Sequence, residues 1–367
     1  MKIVITGGHL TPALSVIEEL PADAEVLYVG RKHTIEGDAA ISLEYETILK
    51  KNIPFVSLKT GRFQRSLTMH TIPSLTKIPF GYFQAILLLK KFNPDVVLGF
   101  GGYVSVPVAL AAKTLRIPIV IHEQTLEAGA ANVLVSKFAK KICISFETSR
   151  KYFPKNKVEL TGNPIRKTVF HPAKKIEVEE NGPVIFITGG SQGSHAINLL
   201  VQGSLTKLLD KFTIVHQTGD SQEFRDFDKL LILKEGLNNN KRNKYYLSKF
   251  FSPEEIGSIL KSADLVVSRA GINTVSELIF LKKPSYLIPI PTSQKNEQVK
   301  NALFLKNLGL GEIGEQKNLT PEDFYKDLND MIGNINNYKL KDSSNKFPKN
   351  AAQKIIDVTY AASKNNN

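Results

Sequence analysis

Lys2-Ile3-Val4-Ile5-Thr6-Gly7-Gly8-His9-Leu10-Thr11-Pro12 opens the chain, and Val184-Ile185-Phe186-Ile187-Thr188-Gly189-Gly190-Ser191 answers it in the second half. Each stretch is a β-branched apolar run that reads as a strand and ends on the same Ile-Thr-Gly-Gly. A glycine turn that leaves a strand and opens a helix lets backbone N–H groups approach a phosphate at the positive end of the helix dipole. Two such turns in two halves of one chain predict two nucleotide-type domains with a cleft between them.

Working outward, strand-like runs alternate with amphipathic ones. The first half offers strands at Lys2 to Ile5, Val26 to Val29, Phe55 to Leu58, Val96 to Leu98, Ile119 to Ile121 and Ile142 to Ile144. Helical patterns lie at Pro12 to Leu20, Phe80 to Phe92, Val106 to Leu115 and Asn132 to Ala139. Strands separated by helices are βαβ units and build a parallel sheet. The rhythm breaks over Gly162 to Pro183, which reads as a linker with Asn163-Pro164, His171-Pro172 and Asn181-Gly182-Pro183. It resumes with strands at Val184 to Thr188, Thr213 to Val215, Tyr245 to Leu247, Leu265 to Val267 and Tyr286 to Ile288. Lys349 to Ala362 has a helical pattern. The fold class expected is α/β, two Rossmann-like domains with parallel sheets and an interdomain cleft.

The 367 residues, 42% of them hydrophobic, are enough for two cores. Cys143 is the single cysteine, so no intrachain disulfide can form, which fits a reducing compartment. The N-terminus lacks the apolar core of a signal peptide, and no later run approaches the roughly 18 apolar residues of a spanning helix. A cytoplasmic protein is expected. The net charge of +13 is unevenly spread. Lys51, Lys59, Arg62, Arg65, Lys77, Lys90 and Lys91 face one acid, Asp95, and are interspersed with Phe63, Ile72, Leu75, Ile78, Phe80 and Phe83 around Pro73 and Pro79. Loop-borne apolar residues among basic ones suit an anionic membrane surface. A solvated basic face is the plainer reading, and no nucleic-acid signature accompanies the charge.

The dinucleotide fingerprint G-x-G-x-x-G is missing from both turns, and Arg31 and Lys32 stand where an acid should hold a ribose. An oxidoreductase is therefore disfavoured. His9 follows the first turn and precedes Pro12, a residue suited to the first turn of a helix. It is either a general base at the sheet's carboxyl edge or a helix cap. Ser268-Arg269-Ala270-Gly271-Ile272-Asn273-Thr274-Val275-Ser276-Glu277 is a third such turn, in which Glu277 can accept ribose hydroxyls or act as a dipole-stabilised helix acid. Asp226-Phe227-Asp228 matches a metal-binding D-x-D but lies in a charged helical stretch and reads as solvated surface. His122-Glu123-Gln124 follows a strand and has no evident third partner for a triad or metal.

In order along the chain these residues resemble the MurG family of bacterial wall-synthesis glycosyltransferases. The motifs are Thr6-Gly7-Gly8-His9-x-x-Pro12-Ala13-Leu14, Gly99-x-Gly101-Gly102-Tyr103-Val104-Ser105-x-Pro107, and Ile121-His122-Glu123-Gln124 with Ala128-Gly129 and Asn132. They continue through Gly162-Asn163-Pro164-Ile165-Arg166, Gly189-Gly190-Ser191-Gln192-Gly193, His216-Gln217-x-Gly219, Arg269-x-Gly271-x-x-Thr274-Val275-Ser276-Glu277, and Gln298 with Asn301-Ala302. The resemblance implies a GT-B fold: residues 1–165 as an acceptor and membrane-docking domain, 166–345 as a UDP-sugar domain, and 346–367 as a helix returning to the first.

The activity implied is inverting transfer of N-acetylglucosamine from UDP-N-acetylglucosamine to the C4 hydroxyl of undecaprenyl-linked N-acetylmuramoyl-pentapeptide, lipid I, in peptidoglycan synthesis. A related GT-B transferase with another lipid-linked or polysaccharide acceptor is the alternative. His9 is the implied base. The donor contacts implied are Thr6, Gly7, Gly8, Thr125, Arg166, Ser191, Phe251, Ile272, Asn273, Thr274, Val275, Ser276, Glu277 and Gln298. Gly101, Gly102, Tyr103, His122, Glu123 and Asn132 fall on the acceptor side, where Gly7 and Gly8 also border the lipid diphosphate. Ile72, Leu75, Lys77, Ile78, Phe80 and Phe83 would dock on an anionic membrane at its cytoplasmic side. Neither cofactor nor metal is implied, and nucleic acid is not an expected partner. Thr125 departs from the family's Asn, Glu297 adds a charge before Gln298, and the first loop lacks the family's extra glycines.

Overall fold

Val4, Ile5, Val29, Leu98 and Ile121 lose all but about a hundredth of their accessible surface, and a side chain of this size contributes about 1.5–3 kcal/mol on full burial. That apolar density on both faces is what a covered parallel sheet requires. The structure, a computed structural model, describes every residue outside 34–40, 59–70, 173–181, 191, 342–346, 349 and 365–367, with backbone alone described at 71–78 and 294. The chain divides into two units, Met1–Arg166 with Pro348–Asn367, and Lys167–Phe347.

In the first unit, β1 (Lys2–Thr6), β2 (Glu25–Gly30), β3 (Phe55–Ser57), β4 (Val96–Gly99), β5 (Ile119–Glu123), β6 (Lys141–Ile144) and β7 (Val158–Leu160) form one parallel sheet in the order β3-β2-β1-β4-β5-β6-β7. Its helices are α1 (Leu10–Ile17), α2 (Leu43–Lys50), α3 (Thr71–Phe92), α4 (Gly102–Thr114) and α5 (Ala130–Ser136). The second unit carries α6 (Lys167–Phe170), β8 (Val184–Thr188), α7 (His195–Lys211), β9 (Thr213–Gln217), α8 (Asp226–Glu235), α9 (Asn239–Asn243), β10 (Tyr245–Ser248) and α10 (Pro253–Ser262). Then follow β11 (Leu265–Ser268), α11 (Ile272–Leu281), β12 (Ser285–Leu287), α12 (Glu297–Asn307), β13 (Gly311–Ile313) and α13 (Pro321–Gly333). Its sheet runs β10-β9-β8-β11-β12-β13, all parallel. Counted from its first strand, that order is 3-2-1-4-5-6, the doubly wound arrangement of a Rossmann fold.

The last helix, α14 (Ala351–Lys364), belongs to the first unit. Ala352, Ile355, Ile356 and Ala362 enter the same core as Ile3, Ile5, Val120 and Cys143, and Lys140 Nζ donates to the Ala362 carbonyl at 2.8 Å. Two expectations change. The segment read as loop-borne around Pro79 is helical in its backbone from Thr71 on, since an internal proline removes one hydrogen bond without preventing the helix from continuing. Asp226 is 6% exposed, not solvated.

Candidate functional site

The order of the first sheet reverses between β1 and β4, the place where open α/β sheets bind ligands, and the turns after both strands meet there. Gly8 has φ +149°, and a Cβ on it would stand 2.4 Å from the Gly101 carbonyl oxygen. Gly102, at φ +72°, would bring a Cβ within 2.9 Å of Gly8 Cα. The two turns touch backbone to backbone, so α1 and α4 both open from one point of contact.

His9 is the N-cap residue of α1, with extended backbone and no capping hydrogen bond from its side chain. The capping alternative is thereby removed, and the imidazole lies beside Gly101, whose Cβ position is 3.6 Å from His9 Cδ2. Burial lowers the His9 pKa below the usual 6.5, and the Glu123 carboxylate pulls the other way without reversing it. A half-buried imidazole held neutral at pH 7 can accept a proton.

Three polar residues expected on the acceptor side, His122, Glu123 and Asn132, are buried. His122 is 1% exposed. Its Nε2 lies 3.2 Å from the Gly162 carbonyl and 3.1 Å from Ser145 Oγ. The carbonyl can only accept, so the proton sits on Nε2. Burial pushes the ring's pKa down to about 3, so it stays neutral. Glu123, also 1% exposed, accepts from the Thr125 N–H (3.0 Å) and hydroxyl (2.6 Å) on Oε1, and from the Gly129 N–H (2.9 Å) and Asn132 Nδ2 (3.0 Å) on Oε2. Thr125 Oγ1 also lies within bonding distance of the Glu127 carbonyl, and Asn132 Nδ2 donates to the His122 carbonyl at 3.1 Å. Through these bonds Glu123, Thr125 and Asn132 brace the β5–α5 turn, while His122 Nδ1 and Asn132 Oδ1 are buried without a hydrogen-bond partner. Asn132 keeps its amide beside Gly101, Tyr103 is half-buried at the start of α4, and Thr6 is fully buried.

In the second unit the turn after β8 is held from two sides. Gly193, at φ +75°, lies against the next turn, where a Cβ would meet the Thr218 carbonyl oxygen at 2.0 Å. Ser194 caps α7 by accepting from the Ile197 N–H. Behind this turn runs a buried chain of hydrogen bonds. Tyr245 OH is 2.9 Å from His216 Nδ1, His216 Nε2 is 3.1 Å from Asn198 Oδ1, and Asn198 Nδ2 donates to the Thr218 carbonyl (3.1 Å) and to Asp226 Oδ2 (2.8 Å). Asp226 Oδ1 lies 2.8 Å from His195 Nδ1. Burial holds His216 at about 3, hence neutral. Asp226 is a structural acceptor rather than half of a metal motif.

Around α11 the side chains divide sharply. Ile272 and Val275 are in the core, and the Val275 N–H already donates to the Gly271 carbonyl at 2.9 Å. Ser276 Oγ donates to the Ile272 carbonyl at 2.8 Å. Asn273 and Thr274, in the first turn of α11, are half-buried, and Glu277 is 5% exposed. Gln298 Oε1 accepts from the Ile290 N–H at 3.0 Å, and Phe251 and Arg166 are half-buried. Ser191 lies outside the described residues, as do the side chains of Ile72, Leu75, Lys77 and Ile78. Phe80 and Phe83 are 62% and 64% exposed on α3.

One residue, Glu44, carries no sequence signal of its own. Glu44 of α2 accepts from Tyr28 OH (2.8 Å) and the Arg31 N–H (3.2 Å), and its carboxylate lies against the Cβ position of Gly7. Gln217, within the motif His216-Gln217-x-Gly219, joins turns distant in sequence, those of Gly190 and Phe251. Among the described residues no group of three or more His, Cys, Asp and Glu is arranged to hold a metal.

Two Rossmann-like units, each with its glycine turn at the point where strand order reverses, make up the GT-B fold. Residues 4–144 match the glycosyltransferase family 28 N-terminal domain and 184–358 the glycosyltransferase family 28 C-terminal domain. The chain is 34% identical over 369 residues to the UDP-N-acetylglucosamine--N-acetylmuramyl-(pentapeptide) pyrophosphoryl-undecaprenol N-acetylglucosamine transferase of Clostridium botulinum (strain 657 / Type Ba4), covering 97% of this chain and 98% of that protein. The protein of the same description from Clostridium perfringens (strain 13 / Type A) is 34% identical, with 97% of each covered. The crystal structure of Acinetobacter baumannii MurG superposes with a TM-score of 0.74 at 27% identity, covering 98% of this chain and 100% of that one. The chain belongs to the MurG family of glycosyltransferase family 28.

Proposed function

We propose that the chain transfers N-acetylglucosamine from UDP-N-acetylglucosamine to the C4 hydroxyl of N-acetylmuramic acid in lipid I, forming lipid II. The observation that carries this reading is identity of 34% along nearly the whole chain to relatives described by that transfer. His9 takes the proton of the C4 hydroxyl as its oxygen attacks the anomeric carbon. The bond from that carbon to the diphosphate breaks, UDP departs with the electron pair, and the sugar inverts. The acceptor's diphosphate lies along Gly7, Gly8, Gly101 and Gly102, beside Tyr103. On the donor side, the N-termini of α7 and α11 and their dipoles stabilise the charge growing on the leaving diphosphate. Glu277 accepts from the ribose hydroxyls, the backbone at Phe251 faces the base, and Arg166 and Gln298 reach toward the donor. UDP release on mixing the protein with UDP-N-acetylglucosamine and a lipid I analogue tests the reading. Turnover with another acceptor but with no muramoyl lipid would assign it to a related transferase.

The pH profile supplies a sharper check. The base must be neutral to act, and a pKa below 6.5 keeps His9 neutral as pH falls through 7. The acid limb of kcat/KM is expected below pH 6.5, and a limb centred above that value contradicts His9 as the base.

The protein works at the cytoplasmic face of the membrane as a peripheral protein. Among the described residues no helix is long and apolar enough to cross a membrane. Phe80, Phe83 and Leu87, the last 70% exposed, share one face of α3 by their spacing. Burying two phenylalanine rings in a lipid interface contributes about 3 kcal/mol or more. Phe80→Ser with Phe83→Ser is expected to lower cosedimentation with anionic vesicles by at least about tenfold while UDP affinity stays unchanged.

A further inference from the structure

Gln217 ends β9, in register with Thr188 of β8 on one side and Ser248 of β10 on the other. It is 6% exposed, and every polar atom of its amide is used. Nε2 donates to Thr188 Oγ1 at 3.3 Å and to the Gly190 carbonyl at 3.1 Å, while Oε1 accepts from the Phe251 N–H at 3.0 Å. Thr188 Oγ1 also accepts from the Gly190 N–H at 3.0 Å. The amide's orientation is unambiguous, since a carbonyl can only accept and an N–H can only donate. One side chain therefore ties the turn that opens toward α7 to the loop that enters α10.

Those two stretches are separated in space by β9 alone, two strand spacings or roughly 10 Å. The span needs two donors toward the glycine turn and one acceptor toward Phe251. Glutamine has that set, whereas a carboxylate lacks the donors and an aliphatic side chain lacks both. The loop on the far side is itself stiffened: Ser252 and Glu255 form a reciprocal capping box at the start of α10, and the Phe251 ring packs edge-on against Phe186.

We propose that Gln217 is a positioning residue for the nucleotide, fixing the spacing between the turn that receives the diphosphate and the loop that faces the base, so that both ends of a uridine diphosphate are gripped at once. This rests on the donor assignment of the second unit given above. Gln217 touches no reacting atom. Its contribution is to ground-state and transition-state binding alike, which raises KM on removal and leaves kcat nearly unchanged.

The test compares Gln217→Met, which keeps the length and removes the hydrogen bonds, with Thr188→Val, which removes the shared oxygen from the other end. Kd for UDP and for UMP by calorimetry, steady-state kcat, and KM for both substrates are measured on the full chain. For Gln217→Met we expect UDP affinity and KM for UDP-N-acetylglucosamine to worsen about 10- to 100-fold. The affinity advantage of UDP over UMP should shrink by a similar factor, with kcat and acceptor KM within about threefold of wild type. Thr188→Val should move the same quantities in the same direction, and it decides the matter if Gln217→Met does not fold. An unchanged UDP affinity in a folded variant, or equal damage to kcat and acceptor KM, overturns the proposal while leaving the donor assignment intact. A wild-type protein that binds no UDP overturns both.

Discussion

His9→Ala is expected to lose about two to four orders of magnitude in kcat, the range for a positioned general base, while UDP affinity stays within about twofold. The geometry sets this expectation. His9 makes no capping hydrogen bond, so its removal leaves no orphaned partner at the start of α1, and the strand before it is anchored by buried Ile3, Val4 and Ile5. Stability should therefore change little and chemistry a great deal. His9→Gln separates shape from proton transfer: it retains polar atoms at the end of the side chain but cannot titrate. It should be nearly as slow as alanine and should lose the acid limb of the pH profile. Full activity in either variant means that the base is another group.

Gly193→Ala is expected to remove UDP binding and to cost at least about 3 kcal/mol of stability, combining a left-handed conformation that L residues resist with an overpacked contact. The added methyl would meet the Thr218 carbonyl oxygen at 2.0 Å, and that carbonyl is itself held by Asn198. Neither side can yield without moving the turn. Gly190 supplies the internal control. It has φ +86° with nothing within 4 Å of its Cβ position, so Gly190→Ala carries only the conformational cost, about 1–2 kcal/mol. Thermal melts of the two variants should differ by several degrees, with Gly193→Ala lower. Equal melting temperatures would mean that the Gly193 contact relaxes freely and that the turn is not braced by Thr218.

Much of the fold could be read from apolar runs and punctuation. Val184–Thr188 matches its expected bounds, and most other strands differ by one or two residues at their ends. The strands that escaped were β7 and β13, three residues each; among the helices, α2 was missed and α6 lies inside the stretch read as a linker. Three residues are too few to display a period, and α2 buries little besides Ile48. The strand order, with each glycine turn at a reversal, required the pairing itself, because nothing local says which strand lies beside which.

The site was legible only in part, and the division has a physical basis. Glycines announce themselves because close approach and positive φ exclude other residues, and a histidine after such a turn invites a chemical reading. Polar residues next to these motifs invite the same reading, yet whether they face a ligand or brace a loop depends on burial and partners. Glu123 accepts from Asn132, nine residues on; His216 and Asp226 are joined through Asn198; Gln217 reaches back 27 residues and forward 34. The amino-acid order by itself determined two parallel α/β units, the glycine turns and the histidine at the first of them, since these follow from local sterics and hydrophobic period. Only the tertiary structure decided which polar groups are tied to one another, because that depends on hydrogen bonds made across the sheet rather than along the chain.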